Sequence, residues 1–529
     1  MKTKTTIPAE WLKWTIVALW SAVMTAVVWK SYAACGGRLI YTLDDPYIHM
    51  SVSESILAGG YGVNAGESCA PSSSILFPFI LAVTEWLGIG TWGPLVLNVG
   101  FMFAAVYLIG DVLVGRASMK QIGAGFGIVE FVFRAVLGLL ICLALNTWGL
   151  VMTGLEHPLH ILLTLVVVRG SFHVVKGQPF GAGLVFAIAA LPLVRFEGAA
   201  LALSAVLFLL CLGQKHKAWL SLSLLAAGAA VWAAFVGLHG LPLVPSSVQL
   251  KSTVVAGVAG AGLAETINAT AYHLKVSFGT RQGAMLLILL SIVTGLTASV
   301  WSRGERGKAF FGAMVILAGA AHVCFGQYGW HDRYEVYALA LCLIGILLLA
   351  RDLGLERGAF IGFAGILAVI SAPYARSTLR THLSAQNIYQ QQYQMHRFVV
   401  EYWKQPVAVN DLGWVSYHNP SHVLDLYGLG SEQVRKLRVA GRFDAASTAS
   451  LLSENKIELA MVYDKIIPAR DLPATWTNVA TLETSAESSA SPRVLFYLSG
   501  SADREKADAI LRQFALTLPA GATLKMEHQ

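Results

Sequence analysis

Eleven apolar runs of 14 to 23 residues recur along the first 374 residues of the chain. They cover residues 11–29, 96–114, 125–147, 157–170, 180–194, 198–213, 218–238, 283–301, 309–326, 334–350 and 358–374. A straight helix needs about 20 apolar residues to cross the hydrocarbon core of a bilayer. The runs therefore predict a mainly α-helical, polytopic membrane protein with about eleven transmembrane helices.

The composition supports a membrane location. Charged residues make up 13% of the 529 residues, and the mean hydropathy is +0.60. Soluble proteins carry roughly 25% charged residues because water covers their surface. A chain this poor in charge is not expected to be a cytosolic enzyme, a disordered scaffold or a nucleic-acid-binding module. The net charge of +7 requires no polyanionic partner, since loop lysines and arginines that orient a membrane protein account for it.

Basic residues fall in alternate short loops and predict an orientation. They are Arg116 and Lys120, Arg169 and Lys176, Lys215 and Lys217, Arg303, Arg306 and Lys308, and Arg351 and Arg357. Placing them in the cytoplasm puts the N-terminus inside and puts residues 33–73, 240–282 and the chain after residue 375 outside. The apolar stretch 75–90 would reverse this order if it crossed the membrane. We therefore interpret it as re-entrant or as lying along the interface.

The composition changes after Tyr374. Residues 376–404 predict a long polar helix that leaves the membrane, and short apolar runs then alternate with charged helical stretches. The runs are Val407–Val409, His422–Leu426, Glu458–Tyr463 and Val494–Leu498. This alternation is typical of a small α/β domain. We predict a transmembrane domain over residues 1–374, with outer loops 33–73 and 240–282, and a C-terminal periplasmic α/β domain over residues 375–529.

Two cysteines, Cys35 and Cys69, fall in the first predicted outer loop. An oxidising periplasm would allow them to form a disulfide, and two free thiols are the equal alternative.

The adjacent carboxylates Asp44 and Asp45 follow the first apolar run. Carboxylates near lipid are costly unless they are paired or functional. One hypothesis makes the pair a general base with an orienting or cation-binding neighbour. The alternative is that the pair caps the helix that follows.

Further charged residues share the predicted outer face of the membrane. They are Glu156, Arg195, Glu197, Lys251, His331 and Arg333. Each alone is explained by a helix-end charge that reaches lipid headgroups. Together, carboxylates, cations and a histidine on one face suit a site that needs a base and positive charge for a phosphate. The sequence has no phosphate-binding loop, no zinc-protease motif and no serine-hydrolase motif.

Residues 43–78 (LDDPYIHMSVSESILAGGYGVNAGESCAPSSSILFP) resemble the first periplasmic loop of GT-C-fold membrane glycosyltransferases, especially the bacterial branch that includes mycobacterial arabinofuranosyltransferases. Later motifs follow the family's order. They are Gly154-Leu155-Glu156, Arg195–Gly198, Pro245–Lys251, Arg333-Tyr334, Asn410-Asp411-Leu412-Gly413 and Val423–Leu429. Pro46, Ser246-Ser247 and the His-Asp before Arg333 depart from the family pattern, which leaves the sugar and the acceptor open.

The resemblance implies an inverting glycosyltransferase in the bacterial inner membrane. It would move a sugar from a polyprenyl-phosphate donor to a glycan, lipid or protein acceptor on the periplasmic side. Asp44, with Asp45 as partner or substitute, would be the base. Lys251 and Arg333, together with Arg195, would balance the charge of the departing phosphate. Glu156 and Glu197 would orient sugar hydroxyls or support the cations, and His331 would bind substrate. No cofactor is required, and a divalent cation at Asp44 and Asp45 stays open.

Two other classes of function remain as alternatives. A secondary transporter or lipid-linked-sugar flippase would place its charges near the bilayer midplane, often on broken helices in repeated halves. Here the charges lie near predicted helix ends. A non-catalytic envelope assembly factor would use the C-terminal domain for binding, and would leave the two aspartates unexplained.

The predicted orientation can be tested by labelling single cysteines placed at Gly66 and Lys404. We expect both positions to react with a membrane-impermeant reagent applied from the non-cytoplasmic side, because both follow an odd number of crossings. Opposite accessibility of the two sites would mean that residues 75–90 cross the membrane.

Overall fold

A computed structural model describes residues 6–115, 125–178, 181–251, 263–354, 357–485 and 491–527. The predicted cytoplasmic loop with Arg116 and Lys120, residues 252–262 of the predicted outer loop, and the Lys251 side chain lie outside the described part. The chain divides into two compact units. The helical unit contains residues 1–28, 95–231 and 261–380, and the mixed unit contains residues 29–94, 232–260 and 381–529.

Helices account for most of the described residues. They are Glu10–Ala34, Asp45–Leu57, Phe77–Trp86, Gly90–Trp92, Gly93–Val114, Ile128–Ala144, Thr147–Met152, His157–Val175, Ala182–Val194, Gly198–Cys211, Lys215–Leu238, Ser246–Lys251, Leu263–Gly279, Arg281–Ser302, Arg306–Phe325, Val336–Asp352, Arg357–Gln390, Gln392–Arg397, Phe398–Trp403, Gly413–Ser416, Glu432–Val439, Ala445–Glu454, Ala469–Asp471 and Arg504–Ala515. Two short strands, β1 (Ile7–Pro8) and β2 (Gly125–Phe126), pair antiparallel in the helical unit.

Each of the eleven predicted apolar runs contains a helix, but the count of eleven spans is not confirmed. Within the described ranges, six helices are long and apolar enough to cross a membrane. They are Glu10–Ala34, Gly90–Val114, His157–Val175, Lys215–Leu238, Arg281–Ser302 and Arg306–Phe325. Others are shorter, such as Ala182–Val194, which ends where Arg195 adopts an extended backbone. Large exposed side chains such as Trp11 and Val231 are those expected of a lipid-facing surface.

The apolar stretch 75–90 forms the ten-residue helix Phe77–Trp86 in the mixed unit. At 1.5 Å per residue this helix is about 15 Å long, roughly half the hydrocarbon thickness of a bilayer. Its length suits the re-entrant or interfacial interpretation.

Helix ends that the charge pattern assigns to the cytoplasm meet in the helical unit. The Asp111 carboxylate accepts a hydrogen bond of 2.8 Å from Arg169 Nε and lies 3.5 Å from Lys13 Nζ. Asp352 forms ion pairs with both Lys176 and Lys308. These contacts join the start of Glu10–Ala34 to the ends of Gly93–Val114 and His157–Val175.

The C-terminal residues form the predicted α/β arrangement within the mixed unit. Its strands are β3 (Val407–Val409), β4 (Val423–Asp425), β5 (Leu459–Val462), β6 (Thr477–Thr484), β7 (Arg493–Leu498) and β8 (Ala522–Met526). The sheet order is β4-β3-β5-β7-β6-β8. Strands β4, β3 and β5 are parallel, and the remaining pairings are antiparallel.

Apolar side chains cover both faces of this sheet. Phe398, Phe496 and Phe514 pack together on one face, and Leu424 and Val462 belong to a second cluster. Sequence analysis missed β6 and β8, because threonine, asparagine, glutamate and lysine interrupt their apolar residues. Cys35 and Cys69 are buried free thiols in this structure.

Candidate active site

Asp44 joins the first outer loop to the C-terminal sheet within the mixed unit. It precedes the helix Asp45–Leu57 and makes no side-chain capping bond to it. Instead, Asp44 Oδ2 accepts a hydrogen bond of 2.6 Å from the Gly413 N–H, and Oδ1 accepts one of 2.8 Å from the Trp414 N–H. The Asp44 side chain therefore does not cap the helix that follows it. Asp44 is 5% exposed, whereas the neighbouring Asp45 is half-buried.

A second carboxyl group, that of Asp411, lies within hydrogen-bonding reach of Asp44. Burial raises the pKa of Asp44 well above its ordinary value, and the Asp411 carboxylate raises it further. The N–H groups of Trp414 and Gly413 favour the Asp44 anion and oppose this increase. The Asp411 carboxylate therefore opposes ionisation of Asp44.

Polar side chains hold Asp411 from the opposite side. Its Oδ2 accepts hydrogen bonds of 2.8 Å from Gln392 Nε2 and 2.9 Å from the Tyr463 hydroxyl. The Tyr463 oxygen also lies 2.7 Å from Gln391 Oε1. This network fixes the Asp411 carboxyl next to Asp44.

An aromatic group encloses the same region. The rings of Tyr47 and Trp414 stack with centroids 4.0 Å apart, and the Tyr393 ring meets Trp414 edge-on at 5.0 Å. The Tyr47 hydroxyl accepts a hydrogen bond from the Tyr41 N–H. These rings exclude water from Asp44 and hold the segment that carries Trp414.

The sheet topology explains why these residues meet. Asp411 follows β3 and Tyr463 follows β5, so both lie at the carboxyl ends of adjacent parallel strands. In open α/β sheets this edge is where ligands commonly bind. Sequence analysis quoted Asn410–Gly413 only as a resemblance and did not assign Asp411 to the site. Its position directly after a buried strand is the signal that could have revealed it.

Asp425, at the carboxyl end of the neighbouring strand β4, organises its own loop. Its carboxylate accepts hydrogen bonds from the N–H groups of Tyr427, Leu429 and Gly430. Burial raises the pKa of Asp425 to about 6, although these N–H groups favour the anion. Asp425 therefore has a structural role.

The Pro-Ser-Ser motif lies against this loop. Ser246 donates toward the carbonyl oxygens of Ala70 and Leu429, at 2.8 Å and 2.6 Å. Three motif segments that are far apart in sequence thus meet in the mixed unit. The Lys251 side chain, five residues further on, lies outside the described part of the chain.

Arg195 forms the centre of a separate cluster in the helical unit. Its NH1 lies 2.7 Å from Glu156 Oε1 and its NH2 lies 2.8 Å from Glu197 Oε1. The Tyr334 ring lies 5.5 Å from the Arg195 guanidinium and 5.1 Å from that of Arg333. The structure therefore brings together four of the residues predicted on the outer face.

A left-handed turn comes just before Arg333. Gly329, Trp330, His331 and Asp332 all have positive φ angles, between 45° and 73°. Non-glycine residues adopt this conformation at a cost, and such residues concentrate at functional sites. Glu335 holds the turn, because its carboxylate accepts a hydrogen bond of 2.9 Å from the Gly329 N–H.

Sequence analysis missed two buried histidines near the same cluster. The His160 ring stacks on Tyr337 with centroids 4.4 Å apart, and His322 Nδ1 lies 3.1 Å from the Tyr337 hydroxyl. Within the described part of the chain, Nε2 of each histidine has no hydrogen-bond partner. Their apolar helices hid them from a search based on charged residues. The described residues contain no group of three or more His, Cys, Asp or Glu side chains that could hold a metal ion.

Comparisons with known proteins give limited matches. Residues 386–497 match the model of a domain of unknown function, DUF8728. No curated protein matches the chain. A cryo-EM structure of the arabinofuranosyltransferase AftD from mycobacteria is 14% identical in sequence, with a TM-score of 0.42 over 95% of this chain and 42% of that one. The chain thus spans less than half the length of that protein.

The hydrogen bonds between Asp44 and the Gly413 segment can be tested with Gly413→Ala. A Cβ atom there would lie 2.1 Å from the Asp44 carbonyl oxygen and 2.6 Å from its Cγ. We expect a lower Tm for the purified protein, because the loop must move away from the sheet. Gly237→Ala is the control, since a Cβ atom there has no neighbour within 4 Å. Equal Tm values for the two variants would contradict the contact.

Proposed function

We propose that the protein is an inverting glycosyltransferase of the bacterial inner membrane that uses a polyprenyl-phosphate sugar and acts on the periplasmic side. The observation that carries the proposal is that resemblance motifs far apart in sequence contact each other within each unit. Asp44 contacts the segment at 411–414, and Arg195 contacts both Glu156 and Glu197. Unrelated helix-end charges would have no reason to meet in these combinations.

In the proposed reaction, a carboxylate at Asp44 removes the proton from an acceptor hydroxyl as its oxygen attacks the anomeric carbon. The bond from that carbon to the phosphate oxygen breaks, and the polyprenyl phosphate leaves with the electron pair. Burial and the Asp411 carboxylate raise the pKa of Asp44, which makes its ionised form a stronger base. Asp45, which is half-buried and adjacent, is its partner or substitute.

The ion pairs in the helical unit suggest different roles for the different cations. Arg195 already faces two carboxylates, Glu156 and Glu197, so the group of three is not cationic overall. Its role is to orient the sugar or the neighbouring aromatic side chain. Arg333, together with Lys251, is the better candidate to offset charge on the leaving phosphate.

The acceptor is a glycan, lipid or protein of the cell envelope, and a lipid tail would enter from the bilayer. A flippase or transporter would move the same lipid-linked sugar without breaking a bond. The first experiment incubates detergent-solubilised protein with polyprenyl-phosphate arabinofuranose and with other polyprenyl-phosphate sugars, and measures release of polyprenyl phosphate by mass spectrometry. Transbilayer movement in vesicles without release would favour the transport alternative.

The two aspartates can be separated by their effects on stability. Asp44→Asn puts an amide NH₂ against one of two backbone N–H donors, so both Tm and turnover should fall. Asp45→Asn should lower Tm less than Asp44→Asn does, because the Asp45 side chain is only half-buried. Turnover should fall about 10² to 10⁴-fold for whichever aspartate is the base. Wild-type turnover in both variants would exclude a catalytic carboxylate here.

The phosphate-binding role can be tested with Arg333→Lys and Lys251→Ala. A lysine cannot reproduce the two parallel hydrogen bonds of a guanidinium, so Arg333→Lys should impair turnover although the charge is kept. Lys251→Ala should cost about 1.5–3 kcal/mol in kcat/KM, the scale of a hydrogen bond to a charged group. Silent substitutions would mean that both side chains contact only lipid headgroups. Lys215→Ala, on the predicted cytoplasmic side, is the control.

A further inference from the structure

We propose that Asp411 of the C-terminal sheet is a positioning residue for the catalytic carboxylate of Asp44, and that the two carboxyl groups share one proton while Asp44 faces the acceptor hydroxyl. This inference rests on the proposed function, because it names the groups that surround the base of that reaction. It gives the C-terminal domain a direct part in the reaction.

The geometry carries this proposal. Backbone N–H groups of Gly413 and Trp414 hold both Asp44 oxygens, and these two residues follow Asp411 almost directly in the chain. The same short segment therefore places the Asp411 carboxyl within hydrogen-bonding reach of Asp44. Gln392 and Tyr463 hold Asp411 Oδ2. A structural cap would need the N–H groups and would not need a second carboxyl.

The surroundings favour one negative charge rather than two. Among the described residues, Asp411, Tyr47 and Tyr463 interact electrostatically with Asp44, and none of these three is cationic. Two carboxylates in a buried site repel each other unless a proton or cation lies between them. A shared proton leaves the pair with one charge at neutral pH.

The proposed step is balanced in protons and electrons. The pair begins with one proton and one negative charge. The acceptor hydroxyl gives its proton to the pair, which becomes neutral, and its oxygen forms the bond to the anomeric carbon. The leaving phosphate keeps the electron pair of the broken bond. The proton then returns to solvent through Asp411, which is more exposed than Asp44.

A first experiment needs no substrate. Infrared difference spectra of the full-length protein in detergent at pH 7 compare wild type with Asp411→Asn, Asp44→Asn and Asp464→Asn. We expect both pair variants to lose the same protonated-carboxyl C=O band, because the remaining carboxyl ionises. Asp464 follows β5 but is exposed, so its variant should keep the band. An unchanged band in Asp411→Asn overturns the shared proton, and a band that appears in wild type only after EDTA treatment indicates a bound cation instead.

A second experiment tests the role in the reaction, with polyprenyl-phosphate arabinofuranose as the donor probe. Asp411 raises the pKa of the base, so Asp411→Asn should move the acidic limb of the kcat/KM profile to lower pH by about 1 to 3 units. Asp411→Glu should restore the limb toward its wild-type position. Lower activity at every pH without a shift would mean a structural role and would overturn the proposal.

The two experiments separate the possible failures. If wild type does not consume any donor, the proposed function fails, while the infrared band still decides whether the proton is shared. If donor is consumed but the band and the acidic limb do not change, the transferase remains and the role of Asp411 is refuted.

Discussion

The mixed unit depends on one carboxylate, that of Asp44, which accepts hydrogen bonds from two backbone N–H groups 369 and 370 residues away. This contact ties the loop that carries Asp44 to the segment after strand β3. Such bonds are charge-assisted when the carboxyl is ionised and are stronger than neutral hydrogen bonds. Burial and the nearby Asp411 oppose ionisation. The same few neighbours therefore determine both the strength of the hydrogen bonds to Asp44 and the basicity of its carboxylate.

The helical unit holds its charges in a different way. Its Arg195 is bound by two carboxylates, and ion pairs of Asp111 and Asp352 join helix ends elsewhere in the same unit. An unpaired charge in an apolar environment raises the free energy of the folded protein. The ion pairs offset this cost for the residues named here. The proposed roles of Arg195 and Arg333 differ because the two carboxylates already compensate Arg195.

Much of the fold was predictable from the sequence because hydrophobic length and alternation are local. All eleven apolar runs contain a helix, and four strands of the C-terminal sheet lie where short apolar runs predict them. The number of spans was not predictable, since run length alone does not show where a helix such as Ala182–Val194 ends. The role of Asp411 was also hidden. It depends on a contact with Asp44 that sequence separation conceals.

The contact between Asp44 and Gly413 also has a consequence for biogenesis. A chain synthesised from its N-terminus inserts the first apolar helix and the Asp44 loop long before Gly413 and Trp414 leave the ribosome. Until strand β3 and the turn after it have been synthesised and folded, Asp44 lacks both of its donors. A truncated or stalled chain would thus contain an inserted membrane part whose first outer loop is not yet ordered. Completion of the last domain would be the step that turns an inserted protein into a competent one.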